Sequence, residues 1–522
     1  MKVSQRMCTY VLRLTSFFFL LVFLWWHYRL GITRYIDVDE FAHLSWAYQM
    51  LSGQRPYLDF LFFFPPGFHL FLIPLFALGH GVTPIIAGRV MAFIIFVLLV
   101  GTVMLLFWLL RRSWTAILVG IILAFLPMPF DKFLEIRPDT LATLFAMVGM
   151  VFQILGMQDL ALKGLTFLGK KVKPYQFLAG FLYGLSLLIL PKTLPQVGVA
   201  IGVLVLMDIV RKYGKPSTHD LTVGALGYFA LRPSLNPRSN ERGIRVLGKS
   251  NYGRSANYNS FLFLLGLAIP LILFALWVVT LGNINQVIYS LTALPVEANK
   301  ISQTFIMQPD LFFYPNTTFY GGAGWTRGLL VNHAIWVIAI LVGAYRLVTP
   351  RSWSDFLVAA TFFVSVIFYV LIVPLKHAQY LIPIAVFVAF YAADAVDMAW
   401  NAVRERIISL AAAIFLTLYI IGLIGLRQIF VEINTPKLSW TNRETINQLS
   451  TLYQTIPTNE YVLDLTGETI YYKHPYAVCC LPFGQFAPYL TRPLPPLARA
   501  LEETKTRYIF EGGLKRINTL LP

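Results

Sequence analysis

Asp37, Asp39 and Glu40 stand together at the head of one stretch, DVDEFAHLSWAYQMLSGQRPYLDFLFFFPPG (37–67), directly after the first long apolar segment. Charges gathered against a membrane are costly and mark a site. A carboxylate held there can take a proton from a hydroxyl, the work of a general base, and Asp39 and Glu40 are the candidates. The alternative is local: Asp37 or Asp39 caps the helix FAHLSWAYQML, the remaining acids occupy its first turn, and Arg34 and Arg55 pair with them. One cap does not use three acids.

A second constellation, Glu135, Arg137, Pro138 and Asp139, opens a later apolar segment. A guanidinium at a helix N-terminus, beside free amides, suits an anion such as phosphate. Lys192, Lys376 and His377 fall at the corresponding ends of other apolar segments, and converging cations would suit a lipid-linked phosphate. Taken singly, each also reads as a snorkelling side chain, and Asp139 as a first-turn acid after proline. Tyr314, Phe319, Tyr320 and Trp325, around Gly321, Gly322 and Gly324, offer flat faces to a sugar ring, which an interfacial aromatic belt explains as well. Asn316, Thr317 and Thr318 form a glycosylation sequon. The histidines His43, His69, His80, His333 and His474 and the cysteines Cys8, Cys479 and Cys480 show no metal-ligand spacing, so no metal site is expected.

The elements that must position these groups follow from composition. With 57% hydrophobic and 13% charged residues, the chain is outside the balance of soluble domains and reads as a polytopic membrane protein. Its net charge of +17 is spread over short loops, which fits positive-inside topology and not nucleic-acid binding. The first apolar segment, about 8–28, follows Lys2 and Arg6 and ends in Trp25, Trp26 and Tyr28 without a cleavage site, so it reads as a retained anchor with a cytoplasmic N-terminus.

About eleven spans are expected from lengths of apolar sequence. They place the 29–66 and 282–327 loops outside and a flexible basic loop, 211–257, in the cytoplasm. Residues 1–426 form the membrane unit and 427–522 a small extracytoplasmic α/β domain.

The 37–67 stretch followed by HGVTPIIAGRVMAF resembles the first outer loop and second span of GT-C glycosyltransferases, in the superfamily of aminoarabinose transferases and protein O-mannosyltransferases. The matching features are the acidic pair Asp39 and Glu40, the GQRPY run with Tyr57, the Pro65–Pro66 pair and Arg89 leading the next span. RPDTLATLFAMVGM resembles the second acidic motif, with Asp139 as its carboxylate, and HAQYLIPI a late segment, with His377, Tyr380 and Pro383. Many aminoarabinose transferases carry Lys before the proline pair. Phe64 stands there in this chain, which moves the expected phosphate-binding charge to Arg137, Lys192 and Lys376.

The resemblance implies a GT-C fold and a polyprenyl-phosphate-linked sugar as donor. Asp39 or Glu40 would be the base, Asp139 would orient substrate, and Arg137, Lys192, Lys376 and His377 would hold the donor phosphate. Asp37, Tyr57, Arg89, Tyr320, Trp325 and Tyr380 would contact substrate. The acceptor would be a lipid, glycan or protein hydroxyl or amine. No cofactor is required, although a divalent cation is compatible with the chemistry, and a bacterial inner membrane is the expected location. The alternatives are an oligosaccharide ligase using a lipid diphosphate and, from another class, a transporter or a scaffold. A transporter would carry its charges at mid-membrane depth, whereas these acids lie on loops.

Overall fold

The computed structural model describes residues 2–158, 165–167, 170–172, 174–213, 252–298, 300, 325–373, 377–405, 409–476 and 489–512. The first part of the chain forms α1 (Lys2–Thr33), α2 (Val38–Leu51), α3 (Gly67–Leu72), α4 (Thr83–Arg111), α5 (Ala116–Phe125), α6 (Pro127–Phe133) and α7 (Pro138–Met157). Strand β1 (Leu165–Phe167) pairs antiparallel with β2 (Lys170–Val172). Then come α8 (Tyr175–Ile189), α9 (Leu194–Tyr213), α10 (Tyr252–Thr280), α11 (Ile284–Leu291), α12 (Ala293–Ala298), α13 (Arg327–Val348), α14 (Trp353–Leu371), α15 (Ile382–Glu405) and α16 (Ser409–Asn434). After α17 (Arg443–Thr455), β3 (Val462–Leu463) lies parallel to β4 (Tyr508–Ile509), with α18 (Leu497–Thr504) between them in sequence.

Among the described residues nine helices are long and apolar enough to cross a membrane, and the bent pair α5–α6 has the length and composition of a tenth if it is taken as one span. This is a multi-pass membrane protein. Two of the eleven expected spans take other forms. The third breaks between α5 and α6 at an angle of 81°. Pro127 has no N–H to give and keeps the residue before it out of the helical region, and Leu126 accordingly sits at φ −44°, ψ 112°. The fifth is α8, only 15 residues long. Most of the expected cytoplasmic loop (214–251), and Lys376, Tyr314, Phe319 and Tyr320, lie outside the described residues.

The core centres on α15, where every residue from Ile382 to Asp394 is buried. A helix apolar all round belongs inside a bundle. At the end of the bundle away from Asp39, the carboxylates of Asp355 and Asp394 bind Arg111, and Asp394 also binds Arg346. These ties hold α4, α13, α14 and α15 together.

Helices α8 and α10 pack backbone to backbone. A Cβ at Gly266 would stand 2.1 Å from the Phe177 carbonyl oxygen, and one at Gly180 would stand 1.9 Å from that of Phe263. Gly266→Ala is therefore expected to force the helices apart and to cost about 1–3 kcal/mol, read as earlier unfolding in detergent. Parental unfolding of that variant would refute the close approach.

The last span runs on to Asn434, past residue 426. The described residues of the segment that follows pack against the first loop and α2. Leu463, Leu465, Tyr476 and Leu497 pack into one apolar cluster with Ala42 and Trp46 of α2 and with Tyr57, Phe60 and Phe62. The Ser45 hydroxyl lies 3.1 Å from His474 Nε2, and the Tyr471 hydroxyl donates to the Gly81 carbonyl. Helix α2 is thereby enclosed between the bundle and the C-terminal segment.

Candidate active site

The site is built where α2, the turn before α7 and the short turn before α9 meet. Asp37 is the N-cap of α2: its Oδ1 accepts from the Asp39 amide, while Glu40 Oε1 accepts from the Asp37 amide. The capping alternative read from the sequence is thus real, and it consumes Asp37 and half of Glu40. The rest of Glu40 is consumed by α4. Arg89 grips both its oxygens at 2.6 Å, and the Ile136 amide donates to Oε2 at 3.0 Å. Glu40 and Arg89 are wholly buried, and Arg89 also donates to the carbonyls of Gly31 and Tyr35. This pair locks the start of α2 to α4.

Asp39 is placed differently. Its side chain keeps 31% of its surface, and among the described residues only Oδ2 is held, by Arg137 Nη1 at 2.6 Å. Arg137 precedes α7 in extended conformation, and the same Nη1 reaches Glu135 at 3.0 Å. Its Nε lies 3.8 Å from Asp139 and has no hydrogen-bond partner among the described residues. Burial works against the Arg137 charge, but Asp39, Glu135 and Asp139 outweigh it and hold the guanidinium firmly protonated. Burial alone would likewise lift the Glu135 carboxyl, and Arg34, Arg137 and Lys132 instead hold it below the usual range.

Asp139 is buried and takes Lys192 Nζ at 3.2 Å, and that ammonium sits 3.4 Å from the centre of the Tyr380 ring. The Lys192 side chain remains 27% exposed. The chain of contacts therefore runs Asp39, Arg137, Asp139, Lys192, with an open carboxylate at one end and an open ammonium at the other. Beyond Lys192 a small apolar crevice opens between α14 and α15, lined by Phe368, Val373, Pro383 and Ile384.

His377 caps the turn before α15, with its ring 5.7 Å from that of Tyr380. Burial, with Arg137 and Lys192 acting on it, pushes its pKa down to about 4. It is neutral near pH 7. Trp325 is exposed before α13, with its ring 5.9 Å from that of His333. Tyr57 lies in the apolar cluster under the first loop at φ 71°, and its hydroxyl is spent on the Phe64 carbonyl.

Four groups that sequence reasoning did not assign to the site complete its charge pattern. Arg34 binds Glu135 at 2.7 Å, not the acids of α2, and Lys132 binds Glu135 at 2.7 Å and approaches Asp37 at 3.8 Å. Lys437 binds Asp131 at 2.7 Å. The signal was weak: charged residues on turns flanking apolar segments, far apart in sequence. The acids Asp37, Asp39, Glu40, Asp131, Glu135 and Asp139 now face Arg34, Arg89, Lys132, Arg137, Lys192 and Lys437, sign for sign. Among the described residues no His, Cys, Asp and Glu group is arranged to hold a metal ion.

No family model matches the sequence, and no curated protein matches it. Solved structures do. The oligosaccharyltransferase of Archaeoglobus fulgidus, tethered to an acceptor peptide containing the NVT sequon, superposes with a TM-score of 0.50 at 11% identity over 88% of this chain. The chain has the GT-C fold. It spans 63% of the oligosaccharyltransferase chain. ArnT from Cupriavidus metallidurans, bound to undecaprenyl phosphate, gives a TM-score of 0.49 at 13% identity, covering 87% of this chain and 84% of that one. In this GT-C bundle the charged constellation lies where the first loop meets the starts of α7 and α9.

Proposed function

We propose that the chain is a membrane glycosyltransferase that moves one sugar from a polyprenyl phosphate to an acceptor hydroxyl or amine, with inversion at the anomeric carbon. The observation that carries this reading is the contact chain from Asp39 to Lys192, which sets an open carboxylate and an open ammonium on one surface beside an apolar crevice. The fold and the loop motifs agree with it.

In this reading the lipid tail leaves through the crevice and the donor phosphate sits on Lys192. Asp39 Oδ1 faces the acceptor and takes its proton as the acceptor oxygen or nitrogen bonds to the anomeric carbon. The bond from that carbon to the phosphate oxygen breaks, and both its electrons go to the lipid phosphate. Lys192 stabilises the charge that grows there, and a phosphate leaves without a protonating acid. Arg137 fixes Asp39 by holding Oδ2, and Asp139 fixes Lys192. A single half-open ammonium suits a monophosphate better than a diphosphate.

The test uses the protein in lipid, supplied with radiolabelled polyprenyl-phosphate sugars, and scores sugar release with and without membrane extract as acceptor source. Lys192→Ala is expected to raise the donor KM about tenfold, the scale of one charged hydrogen bond, and to leave the acceptor KM unchanged. Equal effects on both would overturn the assignment of Lys192. Consumption of lipid-diphosphate oligosaccharides alone would make the chain an oligosaccharide ligase.

A further inference from the structure

His43 follows Asp39 by one helical turn on α2, so the two side chains share a face. Its ring is buried, and Nδ1 stands 3.0 Å from His69 Nε2 on α3. One proton serves that contact, so one imidazole donates and the other accepts.

The surroundings settle the direction. His69 is enclosed by Trp46, Phe62, Phe64 and Phe68, with the Phe62 ring at 4.7 Å, and its Nδ1 is buried without a hydrogen-bond partner among the described residues. A buried N–H left without an acceptor is the rarer and costlier state, so His69 keeps Nδ1 bare and carries its proton on Nε2. His69 therefore donates to His43 Nδ1. His43 must then carry its own proton on Nε2, the nitrogen directed away from the pair. His43 lies one turn from Asp39, whose carboxylate binds Arg137 at 2.6 Å, so its ring belongs to the helix face that carries the proposed base, and burial holds both imidazoles uncharged.

We propose that His43 is a fixed-tautomer hydrogen-bond donor whose Nε2–H meets an anionic phosphate oxygen of the bound substrate, with His69 as the positioning residue that sets the tautomer. This rests on the transferase reading for its substrate. A neutral donor adds a hydrogen bond to a site already crowded with positive charge, and it offers Asp39 no competing acid.

The test is the ring nitrogen spectrum of the protein labelled with ¹⁵N-histidine in lipid discs, with His43 assigned through His43→Gln. The expected free state shows the His43 proton on Nε2, and its resonance moves when a polyprenyl monophosphate is added. The same shift with inorganic phosphate would support the contact and assign it to the phosphate group alone. In turnover, His43→Gln keeps a donor and most of the rate. His43→Phe loses about tenfold in donor kcat/KM, and His69→Phe loses less because the ring is freed to change tautomer.

A His43 proton on Nδ1, an Nε2 resonance indifferent to both phosphates, or parental turnover by folded His43→Phe would each overturn the inference. A protein whose His43 responds to the lipid phosphate but which releases sugar from no donor would overturn the transferase reading and leave this contact standing.

Discussion

Asp39→Asn is expected to fold and to bind donor as the parent does, yet to lose transfer by about 100-fold or more, the usual contribution of a positioned base. The amide keeps the shape of the carboxylate, and its oxygen can still accept from Arg137 Nη1, which now holds Oδ2 at 2.6 Å. What it loses is the capacity to receive the acceptor proton. The contrast with Glu40 makes the experiment informative, because the two acids are neighbours with opposite placements. Asp39 keeps 31% of its side-chain surface, and Glu40 keeps none.

Glu40→Gln should therefore act on folding first, while Asp39→Asn should act on kcat with the unfolding transition unmoved. Sugar release and thermal unfolding measured on the same preparations separate the two. Near-parental turnover by Asp39→Asn would remove Asp39 as the base and return the search to the other exposed groups. A loss of turnover accompanied by unfolding would assign Asp39 to structure, as a partner that keeps Arg137 in place.

Much of this arrangement was legible in the chain because charge stands out against an apolar background. Asp37, Asp39 and Glu40 on one side, and Glu135, Arg137 and Asp139 on the other, are conspicuous before any fold is known, and the structure brings the two groups into contact through Arg137 and Asp39. The break at Leu126 was also written locally, in prolines 127 and 129, but hydropathy averages over them.

The division of labour among the acids could not be read. Glu40 is committed by Arg89, 49 residues away, and by the Ile136 amide, 96 away, and no local pattern announces either. Lys437 reaches Asp131 across 306 residues. The segment after α16 reads as a small domain from its charged helix and short apolar runs, and no local pattern announces that Leu463, Leu465, Tyr476 and Leu497 pack against α2 and the first loop.

The Arg89–Glu40 pair should show the largest effect on stability. Arg89→Ala leaves a carboxylate buried with only two backbone amides to satisfy it, and it strips donors from the Gly31 and Tyr35 carbonyls. Removing one member of a buried pair costs about 3–5 kcal/mol, because the charge left behind has no counterpart. Replacing both members with apolar side chains, as in Arg89→Met with Glu40→Leu, removes that charge and should recover part of the loss.

The two arms separate stability from function. The double variant regains a later unfolding transition, but α2 has lost the side chain that completes its capping box and ties it to the Ile136 amide beside Arg137. Asp39 then sits on a helix whose start is free to shift relative to Arg137, and positional errors of about 1 Å can cost a hundredfold in rate. The expected result is a protein that unfolds later than Arg89→Ala and still transfers poorly. Equal unfolding of Arg89→Ala and the parent would show that the pair does not anchor α2. Full activity in the double variant would show that Asp39 is positioned by Arg137 alone.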